Sequence, residues 1–170
     1  MYFPDFYSSS YLYQVKNYIA LFLLAATAAC TPKTETPPPP PFDPISVQPA
    51  IEQLNASTSK GIQDKNAALI AAHYDKAARL CPDNDTYVNG QTAIENWWKQ
   101  SVTMLNDITF TTISLEGTRE VLYETGMATT TINMNDSVWV LNDKFVHVWR
   151  MQPDSSYKLV VDVWNGIGKQ

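Results

Sequence analysis

Between Leu141 and Asn165 the chain reads LNDKFVHVWRMQPDSSYKLVVDVWN, two runs of alternating apolar residues on either side of a turn-forming segment. A period of two places successive side chains on opposite faces of a strand, so this stretch predicts a β-hairpin. Phe145, His147, Trp149 and Met151 share one face of its first strand. On the second strand one face carries Leu159, Val161 and Val163 and the other Val160, Asp162 and Trp164, and alternation alone leaves open which set faces inward.

The segments before the hairpin extend the pattern. Pro49 suits a first helical position, and Ile51, Leu54, Thr58 and Ile62 recur at helical spacing. Gly61 loosens that helix. Asp64 is placed to cap a second, alanine-rich one over Ala67 to Tyr74. Asn89-Gly90 marks a turn, Thr92 and Glu95 form a capping box, and Ile94, Trp97, Trp98, Val102 and Leu105 draw an apolar stripe along a third helix. Then the period changes to two: Ile108 to Leu115, Val121 to Ile132 with a bend at Gly126, Val138 to Leu141, Phe145 to Met151, and Leu159 to Trp164. Helices followed by antiparallel strands predict an α+β domain with the helices on one face of the sheet.

The chain has 170 residues, of which 45% are apolar and 12% aromatic, enough to bury a single core. A formal net charge of -5 with no cluster of lysine or arginine excludes a nucleic-acid groove, which needs concentrated positive charge to displace counterions. The two cysteines, Cys30 and Cys81, match no zinc or redox spacing.

The first thirty residues read as an address. Lys16 precedes an apolar run from Tyr18 to Ala29, too short to span a bilayer as a helix but of the length of a signal-peptide core. Thr27-Ala28-Ala29-Cys30 resembles the lipobox of bacterial lipoproteins, with Thr27 where Leu, Val or Ile is usual. The resemblance implies a lipidated Cys30 at the new N-terminus and a membrane-anchored protein of the cell envelope, facing the periplasm or the exterior. A plain secretory signal cut nearby is the competing reading. MYFPDFYSSSYLYQ carries an acid and no base where a signal should be positive, which points to a start at Val15 read from an alternative initiation codon. The following TPKTETPPPPPFDP is a polyproline spacer. The organisation expected is a signal over 1–29, a lipidated cysteine and tether over 30–47, and a folded domain over 48–170. With Cys30 lipidated, Cys81 reads as a buried small apolar residue.

The order of these elements carries a family resemblance. Ala67 to Tyr74, ARLCPDND, VNGQTAIENWW, VLYETGMATTTI and the closing DKFVHVWRMQPDSSYKLVVDVWN together resemble the nuclear transport factor 2-like superfamily, in particular its SnoaL-like and ketosteroid isomerase-like members. The resemblance covers Gln48 to Gly166 and implies a cone, a strongly curved antiparallel sheet packed on about three N-terminal helices, with an apolar pocket at its open end. It also implies a homodimer paired through the outer sheet face; no cofactor is expected, and no metal, since no ligand spacing is present.

Ketosteroid isomerase moves a proton with an aspartate base while a tyrosine and a protonated aspartate hold the oxyanion. Carried over by position, the tyrosine falls near Thr58, the base at Pro82 with Asp83 one place off and facing away if the segment is extended, and the oxyanion aspartate around Val146 or His147. At least two of the three roles are vacant. His147 and Asp162, on neighbouring strands, remain as an acid–base pair in which a carboxylate orients an imidazole, against the reading that both are structural. His73 on the alanine-rich helix reads as packing or solvent-exposed, not as a metal ligand. Asp83-Asn84-Asp85 fails as a calcium loop, because with Gly90 in sixth place Tyr87 would be third and Asn96 twelfth, where a bidentate glutamate is required. Tyr74, Trp97, Tyr123, Trp149 and Trp164 are the expected pocket-lining aromatics, suited to a small hydrophobic or amphipathic molecule. The function expected is binding of that molecule, with cofactor-independent proton transfer or partner docking as alternatives.

Overall fold

A computed structural model describes residues 40–134 and 137–167. The signal, the lipobox with Cys30 and most of the proline tether lie outside the described residues. Asp43 accepts the Ile45 N–H at 3.0 Å, capping a single 3-10 turn over Pro44–Val47. Helix α1 (Gln48–Gln63) follows with Pro49 in its first turn, where the missing N–H costs nothing. Ile51, Asn55 and Ile62 form its buried stripe.

Gly61 does something other than loosen α1. A Cβ there would lie 2.5 Å from Ile70 Cγ1, so glycine lets helix α2 (Ala67–Ala71) press directly onto α1. The cap of α2 is Asn66, whose side chain accepts the Leu69 N–H at 3.0 Å, and Asp64 instead ends α1. Helix α2 stops before Tyr74. The next eight residues, YDKAARLC, form strand β1 (Tyr74–Cys81) in place of the expected helix end and loop, so a strand comes before the third helix. Their alanines and charges read as helical, and pairing with a distant strand overrides that local preference.

After the short β2 (Val88–Asn89), Gly90 at φ 86° starts α3 (Gln91–Ser101). The expected capping box does not form; Glu95 pairs with Lys99 at 2.8 Å on the helix surface, while Ile94 and Trp98 face the core. Strands β3 (Leu105–Gly117), β4 (Val121–Met134), β5 (Ser137–Met151) and β6 (Tyr157–Gly166) complete the sheet. The two expected strands within 138–151 are one continuous β5.

The sheet order is β2-β1-β6-β5-β4-β3. All neighbours pair antiparallel except β1 and β6, which run parallel, an arrangement made available by α3 and the strands that separate them in sequence. Register shifts in β3–β4 and in β5–β6 mark bulges, which bend a sheet and increase its twist. Gly126 permits the closest approach at the bend: a Cβ there would meet the Thr111 carbonyl oxygen and lie 2.6 Å from Phe145 Cζ. The curved inner face holds Leu122, Trp149 and Leu159 against Ile51, Ile62, Ile70 and Ile94 of the helices, and these form one core with Leu80. The helices cover part of the concave face and leave the rest open.

Candidate functional site

Three strands bring three ionisable side chains into one row. Glu124 of β4 is the direct partner of His147 on β5, and His147 the direct partner of Asp162 on β6. Directly opposed residues share a face, so the row points into the cone. His147 Nδ1 lies 3.1 Å from Glu124 Oε2 and Nε2 lies 3.3 Å from Asp162 Oδ1. All three are buried, Glu124 completely.

Asp162 reaches this face because of a bulge. Trp149 pairs with Leu159 but the adjacent Val148 pairs with Val161, leaving Val160 unopposed. The phase of alternation therefore changes within β6: Leu159 points inward from the first set and Asp162 from the second. Without the extra residue Asp162 would share the face opposite Leu159.

Each carboxylate is held by further donors. Glu124 accepts hydrogen bonds from the Asn55 amide (2.8 Å), the Thr112 hydroxyl (2.6 Å) and the Trp149 indole (2.9 Å). Asp162 accepts one from the Tyr74 hydroxyl at 2.5 Å, and that oxygen in turn accepts from the Trp98 indole at 3.3 Å. Phe145 and Phe110 flank the imidazole, with ring centroids 4.3 and 5.5 Å from it.

Burial alone would lower the His147 pKa, but the charges and hydrogen bonds of Asp162 and Glu124 outweigh it and raise the value from 6.5 to about 9. Burial pushes Glu124 upward, yet the imidazolium together with the Thr112 and Trp149 donors holds it below the ordinary carboxylate range. Burial and the neighbouring Asp162 charge raise the Tyr74 phenol well above its usual value, which keeps its proton on. At neutral pH His147 is thus an imidazolium facing the Glu124 carboxylate. Such a row can orient a polar group, donate a proton from His147 or accept one at Asp162; a protonated His147 cannot serve as a base.

His147 and Asp162 line a cavity of about 500 Å³, with Glu124 behind them. Its wall is mostly apolar, with Trp97, Trp98, Ile108, Phe110, Phe145 and Trp164 prominent. Of the five expected pocket aromatics, Tyr74, Trp97 and Trp164 line it. Tyr123 does not: it alternates onto the outer sheet face and is 51% exposed. Trp149 does not either; it is buried in the core and supports Glu124 from beneath. Of the positions carried over from ketosteroid isomerase, Val146 is exposed on the outer face, whereas Thr58, Pro82 and His147 line the cavity. Asp83 also lines it, contrary to the expectation for an extended segment, because the strand ends at Cys81 and the chain turns.

Against known proteins, no family model and no curated protein matches this chain. Solved structures do. A ketosteroid isomerase-like protein from Erwinia carotovora atroseptica superimposes with a TM-score of 0.64 at 9% identity over 72% of this chain and 98% of that one. A nuclear transport factor 2-like protein with a cystatin-like fold from Novosphingobium aromaticivorans gives 0.58 at 12% identity, covering 74% and 85%. One of unknown function from Shewanella oneidensis gives 0.57 at 13% identity, covering 69% and 97%. The fold is the nuclear transport factor 2-like cone. Identities this low carry the architecture and leave function to the site.

Within this cone, sequence reasoning missed Glu124 and Asn55. Glu124 is in phase with the inward Leu122, Gly126 and Ala128, and an acid in phase with a buried face is the signal that was there to be read. Asn55 sits one turn on from Ile51 in the same way. His73 lies just past α2, buried, its pKa lowered first by burial and then by Lys158. Cys81 is half-buried and burial raises its thiol pKa, which opposes a nucleophilic role. No cluster able to hold a metal ion occurs among the described residues.

Proposed function

We propose that this chain is an envelope-anchored domain that binds a small hydrophobic or amphipathic molecule in its cone. The observation that carries this reading is the cavity: about 500 Å³, mostly apolar, with a few polar groups in its wall. That volume and lining are those of a small-molecule site, in which apolar walls supply affinity and sparse polar groups fix orientation. The hydrogen bonds of Glu124 and Tyr74 hold His147 and Asp162 in place on the cavity wall, as a binding site with fixed polar groups requires. Native mass spectrometry of the purified protein tests it. A co-purified small molecule released on denaturation supports the reading; a protein that stays empty across a panel of apolar compounds refutes it.

A second reading, cofactor-free proton transfer, is favoured by the His147–Asp162 ion pair at 3.3 Å on the cavity wall. In it Asp162 takes the proton and His147 stabilises the negative charge that develops. Turnover on any molecule found bound, abolished in Asp162→Asn, would establish it.

Anchoring through a lipidated Cys30 and dimerisation through the outer sheet face complete the proposal. The lipobox resemblance supports the first, and the exposed Ile113, Tyr123, Val140 and Val146 on that face support the second. Incorporation of labelled fatty acid that is lost in Cys30→Ser, and a solution mass of two chains, are the expected results.

A further inference from the structure

The cavity's charges narrow the chemistry of what it holds. Asp83, Asp85, Asp143 and Asp162 line it together with His147, and among the described residues no lysine or arginine does. Asp162 is answered by His147 and Tyr74. Asp83 and Asp143 stand nearer solvent on either side of Gly166, where a Cβ would lie 3.3 Å from one carboxylate and 3.7 Å from the other. The Gly166 N–H donates to Asp83 Oδ2 at 3.1 Å, and among the described residues neither carboxylate forms an ion pair. Burial, and then the Asp83 charge, hold the Asp143 carboxyl above its ordinary range. The same cavity is walled by Trp97 and Trp164, packed edge to face with centroids 5.7 Å apart.

We propose that the occupant is an amine: a compact aromatic or alicyclic body seated in the apolar cone, with its protonated nitrogen between Asp83 and Asp143 at the mouth. This rests on the binding reading above and specifies its ligand class. A cation there relieves the repulsion between two acids held close together, and indole faces attract it further. A carboxylate ligand would meet Asp83, Asp85 and Asp143, while the one cation of the described wall, His147, is already engaged by Glu124 and Asp162, and a neutral alcohol would gain the apolar contacts alone. Because the mouth is open to water, the preference weakens as salt screens it.

Calorimetric titration of the full chain with 2-naphthylmethylamine, 2-naphthylmethanol and 2-naphthoate, at about 50 and about 500 mM salt, tests the inference. The amine is expected to bind at least about tenfold more tightly than the carboxylate at low salt, with the alcohol between and the gap narrowing at high salt. In the double variant Asp83→Asn, Asp143→Asn the amine loses its advantage while the alcohol keeps its affinity. Equal binding of all three, or tightest binding of the carboxylate, overturns the amine assignment and leaves the cavity reading standing. Binding of none overturns both. Should the double variant not fold, the ranking and its salt dependence in the unmodified chain decide the matter alone.

Discussion

Glu124 accepts the Trp149 indole N–H at 2.9 Å on the same oxygen, Oε2, that lies 3.1 Å from His147 Nδ1. One carboxylate thus ties a core tryptophan to the polar row of the cavity, and the packing of the sheet and the charge of the site depend on the same atom. A buried ion pair is weak evidence of stability when compared with an apolar replacement, but breaking one by deleting a partner strands the other charge.

Glu124→Ala removes that partner and leaves the Asn55, Thr112 and Trp149 donors unsatisfied. The expected loss is about 3–5 kcal/mol in urea denaturation, with Glu124→Gln losing less because it still accepts hydrogen bonds. A Glu124→Ala protein within 1 kcal/mol of the parent would show that the row carries no such load.

Stability should peak in a window set by two histidines of opposite sign. His147 has a raised pKa, so its contribution is fully present below 6.5 and is lost as pH rises through about 9. His73 has a lowered pKa, so its contribution is present above 6.5 and is lost as pH falls through its depressed value. Glu124, also lowered, adds a loss at more acid pH, as the pH falls below its ordinary 4.5. Denaturation followed from pH 5 to pH 10 should show both limbs. His147→Gln should flatten the alkaline limb and leave the acid limb in place; an unchanged alkaline limb would contradict the paired imidazolium.

Ala128 is buried, yet its methyl faces the cavity. Ala128→Phe should fill empty space with little strain, changing stability by no more than about 1 kcal/mol while weakening any cavity ligand at least about tenfold. Calorimetry on the same protein preparation separates the two effects. Undiminished affinity would place the ligand elsewhere.

Gly126→Val should be severe, because the added Cβ meets both the Thr111 carbonyl and the Phe145 ring. A loss of about 2–4 kcal/mol is expected from the forced shift at the bend. Thermal melting that stays unchanged would mean the sheet can open there without cost.

The α+β class, the helical stripes of Ile51 and Ile94, and the faces of Phe145, His147, Trp149 and Met151 were legible in the chain, because they are properties of periodicity, and periodicity is local; the cone was implied by the family resemblance instead. β1 was not legible, because YDKAARLC has no clean alternation and owes its extended form to hydrogen bonds with β6, some eighty residues away. The placement of Tyr123 and Trp149 needed the register of β4 and β5 and the position of the helices above them.

His147 and Asp162 could be named as a pair from the expected neighbouring of their strands, and part of the site was thereby visible. Their meeting on one face was not, since it turns on the unopposed Val160, and a bulge is a feature of two strands together. Glu124, Asn55 and Tyr74 join the site across 23, 92 and 73 positions of sequence from His147. Local sequence specifies which face each of those residues takes; only folding brings the faces to within hydrogen-bonding distance, and it is that distance that turns four ordinary side chains around an imidazole into a charged row.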